Sequence, residues 1–234
     1  MTYAISDIHG EYDKYIAMLE KIGFSDDDTL YVLGDVVDRG ASPVKILQDM
    51  AARDNVYPIL GNHEAVALHM LPQLLVEITE ENYRSHMDQQ LMSRLLDWQM
   101  DGGDATMKDF RRISAEERCD IIDYMSEFPL YEIVDAGERT FVLVHAGLQN
   151  FRRERSLREY SAEEMVLGRH DFSRRYFEDP SVYIVTGHTP TQAITGKAEI
   201  YRANNNIGID CGAAFPGGRL ACLCLETMQE YYVE

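Results

Sequence analysis

The stretch Gly34-Asp35-Val36-Val37-Asp38-Arg39-Gly40 follows directly on the apolar run Leu-Tyr-Val-Leu at residues 30–33. Such a short apolar run predicts a buried strand. The stretch then places two carboxylates and a guanidinium at the strand's C-terminal end, where α/β folds carry their ligand sites. One carboxylate could bind a metal ion, the other could orient an acid or a base, and the arginine could bind an anion. The alternative is a polar turn with a surface ion pair.

Two more polar clusters follow apolar runs in the same way. Residues 3–5 lead into Asp7-Ile8-His9-Gly10, and residues 56–60 lead into Gly61-Asn62-His63-Glu64. Helical periodicity at residues 11–22 and 42–52 separates the three strands. The alternation of strand and helix predicts a mainly parallel sheet with right-handed crossovers. We therefore expect the three clusters to meet at one edge of that sheet.

The rest of the chain divides into a helical part and a β-rich part. We expect a helical insertion at residues 65–127, with helices at 65–76, 81–98 and 115–127 and a glycine-centred loop at 98–106. A charged helical stretch is predicted at 161–177, and short strands at 131–134, 140–144, 182–186, 200–201, 207–209, 220–224 and 230–233. The predicted fold is α/β, a four-layer α/β/β/α sandwich of two mixed sheets flanked by helices, in a single domain over residues 1–234.

Charge and composition narrow the choice of partners. The chain has 22 basic and 40 acidic residues and a formal net charge of −18, which argues against nucleic-acid binding because that function needs a basic surface. The apolar runs are much shorter than the ~20 residues that span a bilayer, and no signal peptide is recognisable. We therefore expect a cytoplasmic protein with no membrane or nucleic-acid partner and an unknown oligomeric state. An anionic substrate would need positive charge supplied locally by metals or arginine.

Histidines also follow two of the later apolar runs, at His145 and His188, whereas His69, His86 and His170 lack this context and are expected to be structural. Mixed imidazole and carboxylate ligands suit Mn, Fe, Zn, Co or Ni. The ligands are too many for one metal with an open site, so we expect two metals that share one carboxylate. The candidate site comprises the side chains at the strand ends: Asp7, His9, Asp35, Asp38, Arg39, Asn62, His63, His145 and His188.

A pair of metals at this edge of the sheet would be suited to the hydrolysis of a phosphate ester. Two cations stabilise a bridging hydroxide that attacks phosphorus, and Arg39 can bind the phosphate through two parallel hydrogen bonds. His63 is placed to protonate the leaving oxygen. Asp38 can hold the other nitrogen of that imidazole and favour its protonated form.

Five motifs in this order resemble those of the phosphoprotein phosphatases of bacteria and phages, within the calcineurin-like metallophosphoesterase superfamily. They are Asp7-Ile8-His9-Gly10, Gly34–Gly40, Gly61-Asn62-His63-Glu64, His145-Ala146-Gly147 and Gly187-His188-Thr189. Ser6 replaces the glycine that usually precedes the first aspartate, Ala146 replaces a glycine that is common in the eukaryotic members, and neither change removes a ligand.

The resemblance implies a role for each candidate residue. Asp7, His9 and Asp35 would bind one metal, and Asp35, Asn62, His145 and His188 would bind the other, with Mn²⁺ as the first choice and Fe, Zn, Co or Ni as alternatives. His63 would be the acid with Asp38 behind it, and Arg39 a phosphate ligand. Arg169 resembles a second phosphate-binding arginine, although Arg174 and Arg175 lie close by. The glycine-pair loop at 98–106 would border the substrate cleft, unless it is only a helix-breaking turn.

The first functional expectation is a serine/threonine protein phosphatase that uses a metal-bridging hydroxide, and Glu64 after His63 favours it in family terms. The alternative is the hydrolysis of dinucleoside polyphosphates, of the diadenosine tetraphosphate type, or of another small phosphate ester by the same binuclear centre. A third hypothesis is a catalytically inactive binding protein that keeps the fold. The complete ligand set, Arg39 and His63 argue against the third.

Overall fold

A computed structural model describes residues 1–77, 79–80, 82 and 88–234 of the chain. Over these residues, no helix combines the length and the apolar character needed to cross a bilayer. The first part contains β1 (Thr2–Ile5), α1 (Tyr12–Ile22), β2 (Thr29–Val32), α2 (Pro43–Ala51), β3 (Val56–Pro58), α3 (Asn62–Leu75), α4 (Gln89–Trp98), α5 (Asp104–Phe110) and α6 (Ala115–Ser126). The second part contains β4 (Tyr131–Ala136), β5 (Arg139–Val144), α7 (Ala162–Val166), β6 (Val182–Thr186), α8 (Thr191–Thr195), β7 (Tyr201–Ala203), β8 (Asn206–Gly208), β9 (Leu220–Cys224) and β10 (Glu230–Val233).

The strands form two mixed sheets. The first has the order β10-β9-β1-β2-β3, in which β1, β2 and β3 are parallel and β9 and β10 are antiparallel. The second has the order β4-β5-β6-β8-β7, parallel in its middle and antiparallel at both edges. Because β1, β2 and β3 run in the same direction, the residues that follow all three leave the sheet at one edge, as the sequence predicts.

The side chains of each central strand alternate between two apolar layers. In β1, Tyr3 and Ile5 pack against the helices of the first part, whereas Ala4 packs between the two sheets with Phe141 of β5. On the outer face of the second sheet, Val142 and its neighbours pack against the chain between residues 148 and 177. The order of layers is therefore helices, sheet, sheet and an outer covering with short helices, which confirms the predicted four-layer α/β/β/α fold.

Three predicted elements differ from the structure. The charged stretch at 161–177 is helical only in α7, because the carboxylate of Asp171 accepts hydrogen bonds from the backbone and hydroxyl of Ser173 and forms a local turn instead. The glycine-centred loop predicted at 98–106 is shorter than expected: the backbone leaves the helical conformation at Gly102, whose φ is 102°, and helix α5 begins two residues later at Asp104. The predicted helix at 81–98 is described only from α4 onward, and positions 81 and 83–87 lie outside the described residues.

Candidate functional site

The polar loops after β1 and β2 are joined by a ladder of backbone hydrogen bonds. The amides of Asp7 and His9 donate to the carbonyls of Gly34 and Asp35, at 3.0 and 2.9 Å. In return, the amide of Gly40 donates to the carbonyl of His9 at 2.8 Å. The two loops therefore form one rigid unit, even though neither is a regular element.

Six candidate residues adopt a left-handed backbone conformation. Their φ angles lie between 47° and 71°, a region that non-glycine residues rarely occupy. Each such residue costs roughly 1–3 kcal/mol and persists only where the surrounding structure holds it. The inter-loop hydrogen bonds supply that restraint for the residues of the first loop, and the amides of Asp38, Arg39 and His188 donate to Thr106, Gly102 and Asp7 instead. The six residues are Asp7, His9, Asp35, Asp38, Arg39 and His188.

Two glycines of the motifs make room for carboxylates. A Cβ at Gly61 would lie 2.3 Å from Oδ1 of Asp35, and a Cβ at Gly187 would lie 2.2 Å from Oδ2 of Asp7. Both distances are too short for any side chain. The glycines before Asn62 and before His188 are thus required by the close approach of the backbone to the site.

The carboxylate of Asp35 lies between two groups of possible metal ligands. His9 and His63 form one group with it, and His145 and His188 form the other, and within each group the ligand atoms all lie within 4.8 Å of one another. Oδ2 of Asp35 faces the first group, and Oδ1 faces His145 of the second at 3.4 Å. This arrangement is what a carboxylate shared by two cations requires.

Backbone carbonyls orient the ligand nitrogens in both groups. Nδ1 of His9 lies 2.9 Å from the carbonyl of Val37, and Nδ1 of His145 lies 2.7 Å from the carbonyl of Leu33. Each imidazole can therefore donate through Nδ1, which leaves Nε2 on the side of Asp35 as the atom that would bind a metal. In the second group, Oδ1 of Asn62 lies 2.9 Å from Nε2 of His145 and 2.8 Å from Nδ1 of His188.

Asp7 is the exception among the predicted ligands. The resemblance implies that it joins His9 and Asp35, yet neither group of ligand atoms found among the described residues includes it. Both of its oxygens instead accept from the backbone amide of His188, at 3.1 and 2.9 Å. The structure places His63 in the first group, whereas the sequence prediction keeps that residue apart as the acid.

The electrostatics of the site call for cations. Asp7 and Asp210 are buried, and burial together with nearby carboxylates raises the pKa of Asp7 well above its usual range and that of Asp210 to about 6. Burial also acts to raise the pKa of Asp35, but the surrounding imidazoles lower it well below its usual range. Burial lowers the pKa of His145, but Asp35 outweighs this effect and raises it to about 10. These buried carboxylates and imidazoles fit divalent transition metals by charge and by donor type.

His63 is held from behind by a buried carboxylate. Its Nδ1 lies 2.7 Å from Oδ2 of Asp38, which is fully buried. Asp38 also accepts from Nε1 of Trp98 at 2.9 Å and from the hydroxyl of Thr106 at 2.5 Å. Burial lowers the pKa of His63, but the hydrogen bond that its imidazole donates to Asp38 and the charges of Asp35 and Asp38 raise it overall. The imidazole is therefore favoured in the form that can donate a proton.

Arg39 lies at the mouth of the site. Its guanidinium is 2.7 Å from Nε2 of His9 and 3.0 Å from Nε2 of His63, with exposed Asp101 at 3.4 Å. Arg169 is exposed. Burial and the charge of His145 are the main causes that lower the pKa of His188 to about 4, and Arg169 adds to them. Arg39 therefore contacts the first ligand group directly, whereas the link between Arg169 and the second group is an electrostatic effect on His188.

Glu64 joins helix α3 to the central motif. Its buried carboxylate accepts from the backbone amides of Asp35, Val36, Val37 and Gly61, at 2.7 to 3.1 Å. Burial raises the pKa of Glu64, and the charge of Asp35 adds to this effect. The sequence suggests only a local acid at a helix start, whereas the structure makes this residue the anchor of the Asp35 loop.

Sequence reasoning missed three further residues at the site. Trp98 and Thr106 lie at the two ends of the glycine-pair segment, and nothing in their local pattern points to Asp38. Asp210 directly follows the apolar residues 207–209, so the rule that selects polar groups at strand ends could have found it. Of the histidines left out, His170 stacks on Tyr176 and bonds Asn206, which agrees with a structural role; His86 lies outside the described residues.

The chain is similar in sequence to known phosphoesterases. A family model described as calcineurin-like phosphoesterase matches residues 2–212. The chain is 26% identical to bis(5'-nucleosyl)-tetraphosphatase PrpE [asymmetrical] of Bacillus velezensis, over 90% of this chain and 84% of that protein. It is 30% identical to a symmetrical bis(5'-nucleosyl)-tetraphosphatase of Delftia acidovorans, of which it spans only 47%.

Solved structures share the fold at lower identity. A protein provisionally described as a diadenosine tetraphosphatase superposes with a TM-score of 0.63 at 20% identity, over 99% of this chain and 92% of that one. A serine/threonine phosphatase from Saccharomyces cerevisiae, similar to human PP5, gives 0.57 at 12% identity, over 100% of this chain and 79% of that one. Since the family model covers nearly the whole chain, this protein belongs to the calcineurin-like phosphoesterase family.

Proposed function

We propose that this protein hydrolyses dinucleoside polyphosphates, such as diadenosine tetraphosphate, with the aid of two divalent cations. The observation that carries phosphate-ester hydrolysis is the position of Asp35 between two groups of ligand atoms, beside Arg39 and His63. The substrate class rests on the similarity, over 90% of the chain, to a bis(5'-nucleosyl)-tetraphosphatase.

Each residue has a separate role in this proposal. His9, Asp35, Asn62, His145 and His188 would hold the cations, and Asp7 would support this set through its contact with the backbone of His188. When bound, such cations supply an acidified water and neutralise the charge of the phosphate; Mn²⁺ is the first candidate.

The remaining residues bind substrate and move a proton. Arg39 binds oxygens of the phosphate under attack, and its fork of donors fits two of them at once. His63 donates the proton on Nε2 to the oxygen of the leaving group. Asp38 keeps that imidazole oriented and charged from the side of Nδ1.

A cavity beside His63 supports a large leaving group. Its volume is 580 Å³, within the range of about 300–1,000 Å³ that small-molecule sites occupy. Apolar side chains of α3 and α7 form part of its wall, and Arg94 and His69 lie at another part. Because the leaving group departs on the side of the acid, we assign this cavity to the leaving nucleotide.

The second candidate is the serine/threonine protein phosphatase of the sequence prediction. Glu64 after His63 favours the phosphatase, whereas the similarity to two bis(5'-nucleosyl)-tetraphosphatases favours the dinucleotide. The deciding experiment compares kcat/KM for diadenosine tetraphosphate with that for a phosphoserine peptide, using the Mn²⁺-loaded protein. We expect fast cleavage of the dinucleotide and slow cleavage of the peptide; the reverse order would replace our proposal by the second candidate.

A further inference from the structure

Phe215 is an exposed aromatic side chain beside the arginine of the site. The ring is 43% exposed, and its centroid lies 5.1 Å from Cζ of Arg39. An exposed aromatic ring can pack against a guanidinium through a cation–π interaction without taking part in the hydrophobic core. The ring therefore offers an apolar surface next to the place where Arg39 would bind a phosphate.

The loop that carries Phe215 is held rigidly. The amide of Phe215 donates to the carbonyl of Gly212 at 2.8 Å, and the amide of Gly218 donates to the carbonyl of Phe215 at 2.9 Å. Nζ of Lys14 reaches across from α1 to the carbonyl of Ala213 at 2.8 Å. A rigid aromatic group contacts a ligand at a low cost in conformational entropy.

Phe215 also lines a cavity in which cationic side chains make up a larger share of the charged residues than in the chain as a whole. The open cavity has a volume of 720 Å³, and Phe215 lines it together with three cationic side chains, Lys14, Lys197 and Arg219, and with Glu199 and Glu234. In a protein of net charge −18, three cationic side chains around one cavity can supply an anionic ligand with positive charge. A ligand that meets Arg39, an exposed ring and these cations would combine phosphates with a flat aromatic group.

We propose that Phe215 is the stacking surface for one nucleobase of the substrate, next to the phosphate that Arg39 binds. The inference rests on the proposed function and makes Phe215 a residue that determines specificity for nucleotides. A flat base has a π face whatever its identity, so stacking on Phe215 would select nucleotides over simple phosphates without reading the base.

A merely structural role for Phe215 would have a different signature. If the ring served only to orient Arg39, its removal would weaken every phosphate ligand equally. If it stacks on a base, its removal would weaken only ligands that carry a nucleoside. ADP and inorganic pyrophosphate separate the two roles, because both have two phosphates and only one has a nucleoside.

The test measures Kd for ADP and for pyrophosphate by calorimetry on the Mn²⁺-loaded full chain. Phe215→Ala should raise Kd for ADP by roughly 5- to 150-fold, the equivalent of losing one base–aromatic stack, and should leave Kd for pyrophosphate unchanged. Phe215→Leu, which keeps apolar contact with Arg39, should show the same loss for ADP, whereas Phe215→Trp should restore binding. Tyr57→Ala removes an aromatic ring that is 47% exposed on β3 and serves as the matched control.

Equal weakening of both ligands by Phe215→Ala, or no weakening of either, would overturn the inference. Hydrolysis of diadenosine tetraphosphate by the wild-type protein is measured separately. If that activity were missing while Phe215→Ala still weakened ADP selectively, the proposed function would fail and the nucleotide contact would stand. If the activity were present and ADP binding did not change, only the stacking role of Phe215 would fail.

Discussion

Replacing Asp38 by asparagine tests the proton-donating role of His63. Asp38 is fully buried and accepts hydrogen bonds from His63, Trp98 and Thr106. Asparagine keeps the shape but replaces one acceptor oxygen with an NH₂ group, so at least one buried donor loses its partner. That mismatch should cost about 1–3 kcal/mol of stability. The loss of charge should also make the imidazolium of His63 less favourable.

We expect Asp38→Asn to lower kcat by roughly 10²–10⁴-fold, the contribution of a general acid, with little change in metal content. The pKa of His63 is raised in part by Asp38, so it should fall in the variant. Because a general acid works only while protonated, the alkaline limb of the kcat profile should move to lower pH. The assay is steady-state hydrolysis of diadenosine tetraphosphate against pH, with metal content measured by elemental analysis.

Asp101→Asn is the matched control. Oδ2 of Asp101 lies 3.7 Å from Nε2 of His63, but this carboxylate is 62% exposed. Solvent screens such surface charges, which typically contribute less than about 1 kcal/mol, so its kcat should stay close to that of the wild type. An Asp38→Asn protein that is folded, binds metal and keeps both the wild-type kcat and the wild-type alkaline limb would refute the role of Asp38.

Four other predictions follow from the same site. Asp35→Asn should lose both activity and Mn²⁺ stoichiometry, and two retained ions by elemental analysis would exclude a shared carboxylate. Arg39→Ala should mainly raise KM, so unchanged steady-state kinetics would exclude phosphate contact. Trp98→Phe should lower kcat about tenfold, as expected for one lost hydrogen bond of about 1.5 kcal/mol to a charged group. The same kcat in the variant and the wild type would show that the hydrogen bond from Trp98 to Asp38 does not contribute to catalysis. Mn²⁺ at about 100 times its Kd should raise Tm by roughly 5–10 °C per site. If Tm measured by calorimetry did not change when Mn²⁺ or other divalent metals were added, that result would count against a metal centre.

The fold and most of the site could be predicted because their signals are local. Each motif is a contiguous run after an apolar strand, so the strand period and the parallel order suffice to bring Asp35, Asn62 and their counterparts to one edge. The same reasoning would also have placed Asp210 at this edge, because it directly follows the predicted apolar strand at residues 207–209. The division of the ligands between the two groups was harder to predict from the sequence. Asp7 accepts from the amide of His188, which lies 181 residues away in the chain.

The amino-acid sequence by itself determined the layered fold, the sheet edge that carries the polar motifs and the types of ligand gathered there, because these depend on periodicity and on residues adjacent in the chain. Only the tertiary structure decided that Trp98 and Thr106 bind Asp38 across 60 and 68 residues, that Glu64 anchors the Asp35 loop and that Phe215 covers Arg39. A buried acceptor can be satisfied by any donor that packing brings near it, so the choice of partner depends on how distant segments pack and not on any local pattern.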